Sequence, residues 1–178
     1  ADSTLLATFA NNVANFLGSN GLNGFDIDWE SPTNNLTSQQ SGAWFNALGK
    51  AFGDTYYLAV SPSSNQGPQS VDNLNADAVN ANVDVVNLQS KWVPEPSVFI
   101  AHGINADLLG FAAYFESGVT ALDAYQQYTT GIQYNGQQYP YHSMISWRLD
   151  SSNWPFEQSQ QLLLRQYMTG QPNVVAFD

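Results

Sequence analysis

The sequence contains no cysteine, which excludes a disulfide framework, a thiolate nucleophile and a cysteine-based zinc site. Basic side chains are also scarce, since four Lys and Arg stand against fifteen Asp and Glu and give a formal net charge of −11. Such a charge repels nucleic-acid phosphates and anionic lipid surfaces. No apolar run approaches the ~18 residues of a membrane-spanning helix. We therefore expect neither a nucleic acid nor a membrane as a partner.

What the sequence does contain is typical of one folded domain. Its 178 residues are 43% hydrophobic and 13% aromatic, and single domains commonly have about 100–200 residues. Residues 1–178 are therefore interpreted as one domain. The start at Ala1 predicts that a leader has been removed or that the chain is part of a longer protein. Abundant Asn, Gln, Ser and Tyr and the sequon Asn35-Leu36-Thr37 are compatible with secretion, which is the predicted location.

Helical and strand-like apolar patterns alternate along the chain. A first helix is predicted from Ser3, its expected N-cap, to Gly18. Further helices are predicted at 38–52, 74–79, 97–102, 120–128 and 156–168. Strands are predicted at 25–30, 56–60, 83–89, 108–114 and 143–149. Residues 131–141 are interpreted as a loop with a tight turn at Asn135-Gly136. Apolar strands alternating with helices indicate an α/β fold, in which helices cover a parallel sheet.

Three carboxylates occupy alternate positions of the first predicted strand. In the segment GLNGFDIDWE, residues 21–30, they are Asp26, Asp28 and Glu30. Side chains alternate between faces along a strand, so the acids share one face and the apolar residues between them share the other. Neighbouring like charges raise at least one pKa, a condition that suits a general acid. Glu30 stands at the C-terminal end of the strand, where parallel βα folds place their chemistry.

Two other interpretations of this acidic strand are considered. The acids could form a solvated strand end that supplies a helix cap. They could instead ligate a hard cation such as Mg²⁺ or Ca²⁺, although the glycine and spacing of a calcium-binding loop are missing. The alternation with Phe, Ile and Trp favours acid chemistry, and we expect no metal and no cofactor.

The same segment carries a resemblance to a known enzyme family. NGFDIDWE, residues 23–30, resembles the Asp-Gly-x-Asp-x-Asp-x-Glu signature of family 18 glycoside hydrolases, the chitinases and endo-β-N-acetylglucosaminidases. The departure from that pattern is Asn23, which stands where the family usually has its first Asp. MISW, residues 144–147, is similar to the eighth strand of the family. Trp147 stands at the position of a tryptophan that forms the floor of the sugar-binding site in the family.

The resemblance implies a (β/α)8 TIM barrel. The acidic strand would be the fourth strand of that barrel, and the four later predicted strands would be the fifth to the eighth. Residues 1–178 would then be the C-terminal portion of a TIM-barrel catalytic domain, without the first three strands. Because an arc of strands leaves two open edges, we expect a second chain or segment to complete the barrel.

The resemblance also implies a role for each acid, in a retaining and substrate-assisted mechanism. Glu30 would protonate the leaving oxygen. Asp28 would orient the substrate acetamide, whose oxygen attacks the anomeric carbon. Asp26 would hold a proton that it shares with Asp28. No enzyme nucleophile is required in this scheme.

Three further residues are predicted to contact the substrate, a glycan that contains N-acetylglucosamine. They are Gln89, Trp147 and Tyr114. Gln89 is similar to the plant-type branch of the family, but Lys91 stands where that branch has a tyrosine.

The predicted function is hydrolysis of β-1,4-linked N-acetylglucosamine glycans such as chitin. One alternative is an endo-β-N-acetylglucosaminidase that acts on N-glycan cores. Another is a catalytically inactive sugar-binding or inhibitory protein on the same scaffold. Such relatives typically lose the terminal Glu, whereas Glu30 is present here. A storage or structural protein, suggested by the Asn- and Gln-rich composition, is a third.

Overall fold

The computed structural model describes residues 2–30, 35–62, 69–89, 96–147 and 153–170. The helices within these ranges are α1 (Ser3–Ser19), α2 (Ser38–Phe52), α3 (Gln69–Asp72), α4 (Ala76–Asn82), α5 (Ser97–Ala101), α6 (Ala121–Thr130) and α7 (Trp154–Thr169). The strands are β1 (Gly24–Trp29), β2 (Tyr57–Pro62), β3 (Val85–Leu88), β4 (Leu109–Tyr114), β5 (Ile132–Tyr134), β6 (Gln137–Tyr139) and β7 (Ser143–Trp147). Two short 3₁₀ turns lie at Ala106–Leu108 and Phe115–Ser117.

One parallel sheet organises the described chain. Its strand order is β1-β2-β3-β4-β7, and every neighbouring pair runs parallel. Helices connect the successive strands, as parallel pairing requires. The predicted α/β fold is therefore confirmed. Because the strands are parallel, all their C-terminal ends lie along one edge of the sheet.

Several element boundaries differ from the predictions. Strand β1 ends at Trp29, so Glu30 is the first residue beyond it. Strand β2 continues through Ser61 and Pro62 instead of ending at residue 60. Pro62 is tolerated because it is the last residue of the strand, where its missing N–H interrupts little of the ladder. The N-cap of α1 is Asp2 and not Ser3, since the Asp2 carboxylate accepts a hydrogen bond from a backbone N–H in the first turn.

The prediction of a loop over residues 131–141 was wrong. Strands β5 and β6 pair there as an antiparallel hairpin. The predicted turn is confirmed, with positive φ angles of 49° at Asn135 and 76° at Gly136. Two such residues form the tight turn whose twist matches the flanking strands. The buried side chain of Ile132 joins the hairpin to the main core.

The core lies between the sheet and its helices. Ile27 and Trp29 of β1 are buried on this side. The Trp29 ring lies 5.9 Å from the Phe45 ring and 6.4 Å from the Trp44 ring of α2, measured between centroids. A second cluster forms where α6 and α7 meet β4, and its buried members are Ala113, Phe115, Ala121, Ala124 and Leu164. The apolar face of β1 therefore packs on helices, as its alternation predicts.

In the described part of the chain, no helix has both the length and the apolar character to cross a bilayer. Lys91 and the predicted strand residues 148–149 lie outside the described residues.

Candidate active site

The predicted acids lie on the face of the sheet opposite the helices. Ile27 and Trp29 point into the core, so Asp26 and Asp28 point to the other side. Both are exposed, and β1 is an edge strand of the described sheet. Strand register places Asp28 directly beside Ser61 of β2.

A hydrogen-bond network joins the two aspartates to the neighbouring strands. The hydroxyl of Ser61 donates to Oδ2 of Asp26 at 2.7 Å. The side-chain amide of Gln89 donates to Oδ1 of Asp28 at 3.0 Å and to the backbone carbonyl of Ser61 at 2.8 Å. Ser61 and Gln89 are 6% and 3% exposed. Two exposed carboxylates are therefore held by two buried polar side chains.

The environment of Asp26 favours its protonated form. Although the Asp26 side chain as a whole is exposed, nearby protein atoms desolvate its carboxyl group, and this desolvation is the largest cause that raises the pKa of Asp26 above the ordinary aspartate value. The hydrogen bond from Ser61 lowers the pKa and the nearby charge of Asp28 raises it, with a lesser lowering by a backbone hydrogen bond from Ile27. The net shift is upward. Asp26 thus holds a proton to a higher pH than an isolated aspartate does.

This shift predicts a pH-dependent effect of Asp26→Asn on stability. The folded protein binds more protons than the unfolded chain at pH values between the two pKa values of Asp26. The stabilising contribution of Asp26 to the free energy of unfolding is complete below the pKa that Asp26 has in the unfolded chain. This contribution is lost as pH rises through the pKa that Asp26 has in the folded protein. Asp26→Asn removes that loss, so the variant should be more stable than wild type at pH values above the folded pKa of Asp26 and equal to it in acid.

Urea unfolding over a series of pH values measures this difference. Asp107→Asn removes one carboxylate from an exposed turn and serves as the control. A difference between Asp26→Asn and wild type that stays constant with pH would contradict the assignment.

Glu30 lies at the C-terminal edge of the sheet, as predicted. It directly follows β1 and is half-buried. Asp26, Asp28 and Glu30 are therefore arranged in this order along the strand toward the edge where parallel α/β folds carry their sites. Among the described residues, no cluster of three or more His, Cys, Asp or Glu is arranged to hold a metal ion.

Tyr114 and Trp147 also lie at the C-terminal edge of the sheet, at the ends of β4 and β7. Tyr114 is the last residue of β4, and its register partner in β7 is Trp147. The side chain of Trp147 is outside what the structure describes. The Tyr114 hydroxyl donates to Oε2 of Glu116 at 3.2 Å. Strands β2 and β3 separate these residues from β1, so the structure does not join them directly to the aspartate network.

The face of the sheet that carries Asp26 and Asp28 is also polar at the level of Asn87, two residues before Gln89. Register aligns Asn87, Gly110 and Ser143 across β3, β4 and β7. The buried Oδ1 of Asn87 and Oγ of Ser143 have no hydrogen-bond partner within the described part of the chain. A Cβ at Gly110 would lie 2.6 Å from Oγ of Ser143 and 3.2 Å from Oδ1 of Asn87. Glycine is therefore needed for this close approach.

Sequence reasoning missed Ser61, Glu116 and Asn87 as site residues. For Ser61 a signal existed, because it continues the alternation with Leu58 and Val60, which are buried apolar residues of β2. Ending the predicted strand at residue 60 concealed it. Glu116 follows a strand end and Asn87 interrupts an apolar strand, but neither pattern alone indicates a partner.

The fold is similar to that of several solved enzymes. A family GH18 chitinase from Chromobacterium violaceum is 15% identical, with a TM-score of 0.60 over 92% of this chain and 60% of that one. Catalytic domain 2 of the group II chitinase of Ostrinia furnacalis is 18% identical, with a TM-score of 0.52 over 63% of this chain and 39% of that one. A mutant of that domain has been solved in complex with a (NAG)5 oligosaccharide.

Dihydrodipicolinate synthase from Rhodopseudomonas palustris is similar as well, with 13% identity and a TM-score of 0.58 over 92% of this chain and 54% of that one. At these identities the likeness shows the fold alone. The predicted TIM-barrel class is confirmed, and the five parallel strands correspond to part of such a barrel. The chain spans about two-fifths to three-fifths of the length of these solved chains.

No curated protein is significantly similar to the sequence. The family model described as "Glycosyl hydrolases family 18" matches residues 1–141. That range contains the acidic strand, Ser61, Gln89 and Tyr114 and ends before β7. Because it covers most of the chain, the match shows that this chain belongs to family 18 of the glycosyl hydrolases.

Proposed function

We propose that this chain forms the catalytic face of a hydrolase that cleaves β-1,4 bonds next to N-acetylglucosamine. Family membership supports glycan hydrolysis in general, and the (NAG)5 complex of a structural neighbour supports this substrate class. The observation that carries the proposal is the order of the acids. Asp26, Asp28 and Glu30 follow one another toward the C-terminal edge, and the two aspartates are held in place by Ser61 and Gln89.

The first step of the proposed reaction breaks the glycosidic bond. Glu30 transfers its proton to the bridging oxygen, which leaves with the electron pair of the broken bond. The carbonyl oxygen of the substrate acetamide attacks the anomeric carbon and forms a cyclic oxazolinium ion. Asp28 accepts a hydrogen bond from the acetamide N–H and stabilises its positive charge.

The second step regenerates the enzyme. The ionised Glu30 removes a proton from water, and the water oxygen adds to the anomeric carbon as the oxazolinium ring opens. Two displacements at the same carbon retain its configuration. Asp26, whose pKa is raised, keeps a proton near Asp28 and limits the repulsion between the two carboxyl groups.

The predicted substrate contacts remain part of this proposal. Both amide hydrogens of Gln89 are used within the protein, so a bond from Gln89 to the sugar would use its Oε1 acceptor. Trp147 would supply an apolar stacking surface for the sugar ring. Tyr114 would line the cleft between these two residues.

Turnover of chromogenic N-acetylchitobiose glycosides tests the proposal. We expect release of the chromophore, and NMR taken early in the reaction should show the β anomer that retention requires. Chitin oligosaccharides and N-glycan cores assayed in parallel separate a chitinase from an endo-β-N-acetylglucosaminidase. A wild-type protein that binds (NAG)5 but releases no product would contradict hydrolysis and support the inactive sugar-binding alternative.

We also propose that a second chain or segment completes the barrel and that the protein is extracellular. β1 is an edge strand of the described sheet, and α1 exposes Leu5 and Phe16 by 68% and 60%. Open strand edges and clustered apolar surface are usually covered. Native mass spectrometry of the active protein should give a mass above the 19.5 kDa of this chain. An active 19.5 kDa monomer would contradict the completion of the barrel by a second chain or segment.

Cell fractionation tests the proposed extracellular location.

A further inference from the structure

We propose that Ser61 and Gln89 are positioning residues that fix the two aspartates before the substrate binds. We call the pair the Ser61–Gln89 brace. This inference rests on the hydrolysis proposed above. It assigns Gln89 a task inside the protein in addition to any contact with the sugar, and it assigns Ser61 a task for the first time.

The Gln89 arm of the brace fixes Asp28. The amide nitrogen of Gln89 carries two hydrogens, and both are used, one by Oδ1 of Asp28 and one by the carbonyl oxygen of Ser61. Gln89 is 3% exposed, so losing either bond would leave a buried donor unsatisfied. The amide follows β3 and reaches across β2 to β1. It therefore sets the position of one carboxylate oxygen of Asp28.

The Ser61 arm fixes Asp26. Its hydroxyl donates to Oδ2 of Asp26 at 2.7 Å, while its backbone carbonyl accepts from Gln89. One residue of the middle strand thus contacts both arms. Each aspartate has its own donor, and both donors are buried. This arrangement directs the two carboxyl groups to separate partners.

Positioning of this kind matters for the proposed chemistry. Asp28 must meet the acetamide N–H as positive charge develops on it, and misplacement by about 1 Å can lower a rate by roughly 10²-fold. Because that positive charge is greatest in the transition state, a brace that positions Asp28 contributes mainly there. We therefore expect its loss to lower kcat and to leave KM nearly unchanged.

Four substitutions separate the two arms. Gln89→Met keeps the side-chain length and removes both donors, and Gln89→Glu keeps the shape but places a carboxylate beside Asp28. Both should lower kcat by roughly 10²-fold. Ser61→Ala removes the hydroxyl and keeps the carbonyl that Gln89 uses. It should lower kcat by roughly tenfold, the value of about one hydrogen bond to a charged group. Ser61→Thr keeps a hydroxyl and should restore activity.

The readouts are kcat and KM on a chromogenic N-acetylchitobiose glycoside, with melting temperatures to show that each variant is folded. If a Gln89 variant does not fold, the Ser61→Ala and Ser61→Thr pair still decides the matter. An active wild type whose folded variants keep kcat within about twofold would overturn the brace alone. An equal loss in Ser61→Ala and Ser61→Thr would also overturn it. An inactive wild type would instead overturn the proposed hydrolysis, and the brace with it.

Discussion

Replacing Glu30 with Gln is expected to lower kcat by about 10²- to 10⁴-fold, the usual contribution of a positioned general acid. Gln has nearly the shape of Glu but has no proton to give to the leaving oxygen. Glu30 is half-buried at the edge of the sheet and follows β1 directly, so the substitution removes the acidic proton with little change in packing. Steady-state kinetics on a chromogenic N-acetylchitobiose glycoside measures the effect.

Binding separates this interpretation from a general loss of structure. Titration calorimetry with (NAG)5 should show that Glu30→Gln binds the oligosaccharide about as well as wild type, because the proposed sugar contacts of Gln89, Tyr114 and Trp147 are unchanged. Asp107→Asn removes one negative charge from an exposed turn, and its kcat should equal that of wild type. Equal rates for wild type and Glu30→Gln would remove Glu30 from the chemistry. A proportional fall in binding would indicate a structural role.

The position of the acids could be predicted because it depends on local rules. Strand periodicity alone places Asp26 and Asp28 opposite Ile27 and Trp29, and the structure confirms this separation of faces. The parallel sheet follows from the alternation of helices with apolar strands. Helix α2 has the predicted bounds, Ser38–Phe52. The helix begins where the apolar pattern begins, because the capping box of Thr37 and Gln40 satisfies backbone N–H groups at that point.

The partners of those acids could not be predicted in the same way. The bond from Ser61 to Asp26 and the bond from Gln89 to Asp28 depend on how three strands are aligned. A shift of one residue in the β1–β2 register would turn Ser61 away from the acidic face, and the same shift in the β2–β3 register would turn Gln89 away. Register is set by packing along the whole sheet and not by the residues that form the bonds. The sequence indicates which groups carry charge, and only the folded sheet shows what holds them.

The same distinction explains the hairpin. Asn135-Gly136 predicts a turn from backbone chemistry alone, and the turn is confirmed. The flanking Gln and Tyr residues have no strong apolar alternation, so nothing local indicates strands β5 and β6. The burial of Ile132 in the main core shows that tertiary packing stabilises the pairing. Strand formation here is decided by contacts that are distant in the sequence.

Trp29→Ala is expected to destabilise the protein by about 3–5 kcal/mol, the usual loss for a large aromatic removed from a core. Trp29 is 0% exposed and packs on the rings of Trp44 and Phe45. For a chain of this size the change corresponds to a fall in melting temperature of roughly 6–20 °C. Trp29→Phe keeps part of the ring contact and should recover roughly half of the loss. Thermal unfolding followed by circular dichroism measures both.

Trp154→Ala is the matched control, because that ring is 44% exposed at the start of α7. It should change stability by less than about 1 kcal/mol.

Trp29→Ala should also affect function, since Trp29 stands between Asp28 and Glu30 in the chain. With its packing lost, the backbone that carries both acids is no longer held against α2. Assayed well below its melting temperature, Trp29→Ala should therefore lose kcat by roughly 10²-fold even while folded. Wild-type kcat in the folded variant would mean that the brace of Ser61 and Gln89 alone positions the acids, without help from the core beneath them.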